Sequence, residues 1–171
     1  MKKAKGILLY SGGLDSLLAA KVLLEQNVEI IGLHFLLPFF PPHADPNETK
    51  ASLYAERIGL QVKHIRTGSE YMEMLKNPSY GYGKNMNPCV DCKIFFLRYA
   101  AEYMRENDYD FVATGEVVGQ RPMSQHRNKM NLIEKESSLK DYLLRPLSAK
   151  LLNPIKAERE GLIDREKLLD F

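Results

Sequence analysis

Long hydrophobic runs are missing from this chain. No apolar stretch approaches the roughly 18 residues of a membrane-spanning helix. The opening Met1-Lys2-Lys3-Ala4-Lys5 leads into a short strand-like segment instead of the apolar core of a signal peptide. The expectation is a cytoplasmic protein without membrane attachment. Cysteine is scarce: Cys89 and Cys92 are the two in the chain, too few for a disulfide scaffold. No second Cys-x-x-Cys or clustered histidine pair is available to complete a closed four-ligand metal site. A strong excess of either charge is also lacking, since 24 Lys and Arg face 22 Asp and Glu for a formal net charge of +2. Any nucleic-acid-binding face must therefore come from local clustering. Neither G-x-x-x-x-G-K-[ST] nor G-x-G-x-x-G occurs, which excludes a Walker A loop and a dinucleotide fingerprint. There is no internal repeat or low-complexity linker, and 171 residues suit one domain, residues 1–171, burying about 70% of its unfolded surface.

What is present begins with Ser11-Gly12-Gly13-Leu14-Asp15-Ser16, between the apolar run Gly6–Tyr10 and a helix-like run from Leu17. A phosphate must approach bare N–H groups at a helix N-terminus, and paired glycines remove the side chains that would block it. Ser11 and Ser16 add hydroxyls. A carboxylate beside a polyphosphate needs a reason, so Asp15 either caps the helix or faces the phosphates across a cation such as Mg²⁺. The hexapeptide resembles the PP-loop, S-G-G-x-D-S, of the N-type ATP pyrophosphatases. That resemblance implies ATP and Mg²⁺ as ligands and cleavage of ATP to AMP and pyrophosphate with adenylation of a substrate oxygen.

Apolar runs at Gly6–Tyr10, Val28–Phe35, Gln61–Ile65 and Asp110–Thr114 alternate with helical patterns at Leu17–Gln26, Asn47–Ile58 and Ile94–Glu106. The alternation predicts an α/β fold, a three-layer parallel sheet covered by helices. The resemblance narrows it to the Rossmann-like, adenine nucleotide alpha hydrolase-like kind. Ligands in such sheets bind beyond the carboxyl ends of the strands, where Ser11, His34 and Thr114 converge. The proline-rich Leu36–His43 segment reads as a lid, a contact surface or a buried connection. Pro78–Asn87 reads as a flexible loop leading to the cysteines.

Cys89-Val90-Asp91-Cys92 follows Asn87-Pro88, where a long helix starts. A helix N-terminus lowers a thiol pKa, and the pair is open to three uses: a redox or persulfide-carrying couple, part of a zinc or iron–sulfur site, or two inert core residues. Asn87-Pro88-Cys89-Val90-Asp91-Cys92 with Asp110-Phe111-Val112-Ala113-Thr114-Gly115 is similar to the tRNA thiolation branch of the PP-loop superfamily, the 2-thiouridylases and 4-thiouridine synthetases. The similarity runs over roughly residues 4 to 116. It places Cys92 on a catalytic cysteine of an N-P-x-x-x-C segment and Thr114 and Gly115 at the nucleotide.

Three departures stand out. Glu116 replaces a histidine, Cys89 is additional, and no downstream cysteine provides a second thiol. Cys89 and Cys92 could then be the pair themselves, or hold an iron–sulfur cluster completed by a ligand from elsewhere. Neither the RNA-binding nor the rhodanese domain of that group fits in this length, so tRNA binding needs this domain, a homo-oligomer or another chain. After Gly115 the resemblance is loose, and 117–171 is read as the C-terminal part of the same domain.

Gly119–Asn131 carries Arg121, Arg127 and Lys129 and no acid. Its Arg121, Ser124, Gln125 and Arg127 suit phosphate or base contacts, and Arg145–Lys150 repeats that character. His34 ends the second strand and lines the nucleotide pocket, while His43 and His64 are structural or exposed. The resulting expectation is ATP-dependent sulfur insertion into a tRNA uridine. ATP is held by Ser11, Gly12, Gly13, Asp15, Ser16, His34, Thr114 and Gly115, and sulfur from a donor protein or sulfide is carried at Cys89 and Cys92. A small-molecule acceptor and a nucleotide-binding or sulfur-relay subunit without activity of its own remain the alternatives.

Overall fold

The computed structural model describes residues 3–121 and 124–171, with the side chain of Lys84 outside the description. Five strands form one sheet: β1 (Lys5–Leu9), β2 (Glu29–Leu36), β3 (Gln61–Arg66), β4 (Phe111–Thr114) and β5 (Leu143–Leu144). Their order is β3-β2-β1-β4-β5, and every pairing is parallel. The order reverses between β1 and β4, and at such a switch point the two connections leave on opposite faces and open a crevice.

The helices are α1 (Leu14–Leu24), α2 (Lys50–Arg57), α3 (Ser69–Lys76), α4 (Cys89–Glu106), α5 (Arg127–Glu136) and α6 (Lys156–Arg159). Strand side chains alternate between faces, so each strand feeds two cores. Leu8, Ala113 and Leu144 point into one, with Ala19, Ala20 and Leu23 of α1 and Leu147, Ile155, Ile163 and Leu168 of the C-terminal segment. Ile7, Val112 and Leu143 point into the other, with Ile94, Leu97 and Ala101 of α4 and Ile133 of α5. Each fully buried Leu or Ile is worth about 1.5–3 kcal/mol, and the two cores fix the sheet between helical layers. Residues 145–171 are part of the first core, and hydrogen bonds from Leu169 N to Pro146 O and from Phe171 N to Leu147 O hold the chain end down.

The four strands expected from sequence are present. The helices differ in detail. α1 starts at Leu14 with Gly13 as its N-cap, so Asp15 lies in the first turn and is not the cap. The helix expected over Asn47–Ile58 is broken at Thr49, whose backbone is extended and whose side-chain Oγ1 caps α2 by accepting from Ser52 N at 3.2 Å. A 3₁₀ turn at Pro46–Glu48 precedes it. α3, α5, α6 and β5 have no counterpart in the sequence reading, because they are short and owe their conformation to packing.

Candidate active site

The first turn of α1 leaves N–H groups without intrahelical partners, as every helix start does. Here they face the carboxyl end of the sheet. Gly12 takes a left-handed φ of 76°, and a Cβ on it would come within 2.5 Å of the Ala51 methyl. No other residue fits at that turn. Ser11 Oγ accepts from Gly13 N at 3.3 Å and lies 3.4 Å from Ser16 Oγ, and Ser16 Oγ donates to Gly13 O at 2.8 Å. The hydroxyls thus rim an anion-sized cradle. On the other side of the switch point Gly115 presses against the same helix start. A Cβ there would stand 2.6 Å from the Asp15 carbonyl and from Ser16 N.

A cleft of about 420 Å³ opens over these elements. It brings together Ser11, Asp15 and Ser16 of the loop, His34 of β2, Cys92 and Lys93 of α4, and Thr114, Gly115 and Glu116 after β4. Arg121, Ser124 and Gln125 line it as well. The sequence-nominated residues Gly12 and Gly13 shape the loop from behind without lining the cleft. Cys89, the first residue of α4, is likewise not among the lining residues, and both cysteines are free and half-buried.

Several sequence expectations need correction. Cys92 was expected to be acidified by its helix start, yet burial pushes its thiol pKa up, and the Tyr71 hydroxyl at 3.4 Å and Lys93 offset this only in part. The reason is that Cys92 lies a full turn into α4, against the Tyr71 hydroxyl, where desolvation outweighs the dipole. Arg127 does not face the cleft: its guanidinium donates to Leu151 O at 2.7 Å and ties α5 to the C-terminal segment. Arg145, in a segment expected to suit phosphate or base contacts, is 2% exposed and spent on carboxylates. Thr114 spends its hydroxyl proton on Glu116 Oε2 at 3.0 Å. The 78–87 loop is pinned, because Ser79 N and Tyr80 N donate to the buried Asp91 carboxylate at 2.7 and 3.1 Å. Of the proline-rich segment, Leu37 joins the cleft wall while Phe39 is exposed.

Glu116 turns out to be the centre of a buried charge cluster. Arg145 Nε donates to its Oε2 at 3.1 Å, Lys93 Nζ stands 3.5 Å from Oε1, and Arg145 also pairs with Glu134. Burial alone would raise the Glu116 pKa, but Lys93 and Arg145 outweigh it and hold the carboxyl below its usual range. The cluster sets the Lys93 ammonium on the cleft floor next to Cys92. Lys93 and Glu116 carry no signal in sequence beyond adjacency to Cys92 and Gly115, since Arg145 meets them only in the fold.

Asp15 and the Ser16 hydroxyl are oxygen donors suited to Mg²⁺, which binds through one or two carboxylates plus substrate phosphates. A cluster fits less well. Among the described residues no group of three or more His, Cys, Asp or Glu side chains converges, and two thiols fall short of the four ligands an iron–sulfur cluster takes.

Comparison with known proteins agrees with this geometry. A tRNA-specific 2-thiouridylase from Campylobacter curvus is 30% identical over 118 residues, covering 67% of this chain and 35% of the relative. A probable tRNA sulfurtransferase from Thermococcus kodakarensis is 26% identical over 168 residues, covering 96% of this chain and 40% of the relative. The chain thus spans well under half the length of these curated relatives. Among solved structures, a 4-thiouridine synthetase in complex with RNA and bound ATP superposes with a TM-score of 0.62 at 21% identity, covering 96% of this chain and 42% of that one. A predicted tRNA methyltransferase subunit from Methanocaldococcus jannaschii gives 0.57 at 17% identity, covering 84% of this chain and 67% of that one. Both likenesses are of fold, the PP-loop α/β sheet. The family model described as thiamine biosynthesis protein (ThiI) matches residues 2–156, nearly the whole chain, and the protein belongs to that family.

Proposed function

We propose that this chain is the adenylating domain of a tRNA sulfurtransferase, converting a uridine carbonyl to a thiocarbonyl at the expense of ATP. The observation that carries the reading is that one cleft is lined by both the phosphate cradle and the Cys92 thiol. The reading is also supported by relatives described as a tRNA-specific 2-thiouridylase and a probable tRNA sulfurtransferase.

ATP enters as substrate, with its phosphates at Ser11, Ser16 and the free N–H groups of α1, and with Lys93 adding positive charge. Asp15 and the Ser16 hydroxyl would hold Mg²⁺, which would supply positive charge to offset that of the departing pyrophosphate. The uridine carbonyl oxygen attacks the α-phosphorus as the bond to pyrophosphate breaks. The Cys92 thiolate takes the outer sulfur of a donor protein's persulfide, the donor thiolate leaving; the resulting Cys92 persulfide then attacks the activated carbon, and AMP leaves with the former carbonyl oxygen. Cys89 thiolate attacks the Cys92 sulfur, releasing the thiolated base and leaving a Cys89–Cys92 disulfide that an external thiol reductant resets. Adenylation is needed because the bare carbonyl oxygen is a poor leaving group.

Pyrophosphate release with unmodified tRNA and ATP tests the first half. The expected result is release by the unsubstituted protein and by Cys92→Ser, and loss of at least about 100-fold in Asp15→Asn. Sulfur transfer is expected to vanish in Cys92→Ser. Full pyrophosphate release by Asp15→Asn would remove that residue from the mechanism, and ATP binding with no release by any form would leave a binding or relay subunit.

A further inference from the structure

His34, at the carboxyl end of β2, lines the cleft beside Leu33, Phe35 and Leu37, and the hydroxyl of its ring neighbour Tyr10 is spent on Ala51 O at 2.8 Å. Its Nδ1 lies 3.1 Å from Nδ1 of His64, its register partner on β3. Two like nitrogens at that distance require one to donate and the other to accept. The next link decides which. His64 Nε2 is 3.3 Å from Ser52 Oγ, and Ser52 Oγ has its own proton committed to Pro46 O at 2.6 Å. The neighbouring Thr49 Oγ1 also donates to Pro46 O, at 2.9 Å, and that carbonyl has lone pairs for both.

With its proton so engaged, Ser52 can only accept, so His64 is protonated on Nε2 and bare on Nδ1. His34 must then be protonated on Nδ1, and its Nε2 is left as a lone pair with no hydrogen-bond partner among the described residues. Burial first, and then the neighbouring His64, lower the pKa of His34, which keeps that lone pair unprotonated at neutral pH.

We propose that His34 is the base-reading residue of the cleft: its Nε2 lone pair accepts the exocyclic amino group of adenine and faces the 6-oxo oxygen of guanine as an unmatched acceptor. His64 and Ser52 are positioning residues that hold it in the accepting tautomer. The assignment of a base to this wall follows from its composition. The phosphates belong at the α1 start and the polar groups cluster around Glu116, whereas a planar ring covers Leu33, Phe35 and Leu37, with one polar group to read its edge. Two acceptors face to face leave both unpaired in a desolvated site, which is how such sites reject an analogue.

This inference rests on the proposed ATP site, and the test separates the two. Nitrogen-15 NMR of the imidazoles at neutral pH is expected to find His34 protonated on Nδ1 and His64 on Nε2; a His34 protonated on Nε2 overturns the proposal. Binding of ATP, GTP and 2′,3′-dideoxy-ATP is then compared. The unsubstituted protein should prefer ATP over GTP by about ten-fold or more and bind dideoxy-ATP as well as ATP. Ser52→Ala frees His64 to reverse its tautomer, and the preference for ATP should shrink about ten-fold. His34→Gln, whose amide can present either end, should bind ATP and GTP within about two-fold of each other. Equal binding of ATP and GTP by the unsubstituted protein, or a weakness confined to dideoxy-ATP, overturns base reading while leaving the ATP site intact. No ATP binding at all overturns the proposed function and this inference with it.

Discussion

Replacing Arg145 by Met should be among the most destabilising single substitutions in this chain, and the structure says why. Glu116 and the Arg145 side chain are 2% and 1% exposed, and Arg145 Nε is the nearest cation to the carboxylate at 3.1 Å. Without it Glu116 keeps the Thr114 hydroxyl and the more distant, half-exposed Lys93. Removing one partner of a buried ion pair costs about 3–5 kcal/mol, because the other charge is left without compensation. At about 2–4 °C per kcal/mol for a chain of this size, the midpoint of thermal unfolding should fall by roughly 6–20 °C.

The sign of the pH dependence follows. In the unsubstituted protein the Glu116 pKa is held down in the folded state, so its contribution is complete above the unfolded value near 4.3 and is lost as pH falls through the folded one. In Arg145→Met, burial dominates and raises that pKa, so acid relieves the variant by neutralising the stranded carboxyl. The stability gap measured by urea titration should therefore narrow from pH 7 to pH 5. The double variant Arg145→Met with Glu116→Gln should recover at least half the loss. A gap under about 1 kcal/mol at pH 7, or one indifferent to pH, would refute the reasoning.

Two further outcomes are expected. Gly115→Ala forces a methyl to within 2.6 Å of the Asp15 carbonyl, so the β4 end must move off α1. ATP affinity, followed by calorimetry, should drop at least about ten-fold while the far-ultraviolet circular dichroism is preserved. Cys92 should react with iodoacetamide with a midpoint above the ordinary thiol value of about 8.5 because it is buried. Tyr71→Phe, which deletes the hydroxyl that favours the thiolate, should shift that midpoint higher still; a shift downward would mean that the hydroxyl accepts from the thiol instead of donating to it.

Much of the fold was legible because its signals are local. Ile7–Tyr10 and Phe111–Thr114 are apolar on successive residues, as strands buried on both faces must be. Ser11–Ser16 announces its turn because only glycine serves where Gly12 has φ 76° and Ala51 crowds it. Short elements escaped. α3 and β5 are held by contacts from distant segments, and Asp91, in the middle of Cys89–Cys92, gave no hint that it ties down Ser79 and Tyr80.

By itself, then, the amino-acid sequence determined the strand–loop–helix phosphate cradle, the parallel α/β class and the nomination of Cys92, since each depends on residues within a few positions of one another. Only the tertiary structure decided which charges are buried and which nitrogen carries a proton. Arg145 and Arg127 are alike in sequence, but one is sealed against Glu116 and the other ties α5 to Leu151. The burial that raises the Cys92 thiol and the chain from Ser52 through His64 to His34 bring together residues from separate strands and helices. Such electrostatics depend on desolvation and distance, and neither exists until the sheet and its two helical layers have closed.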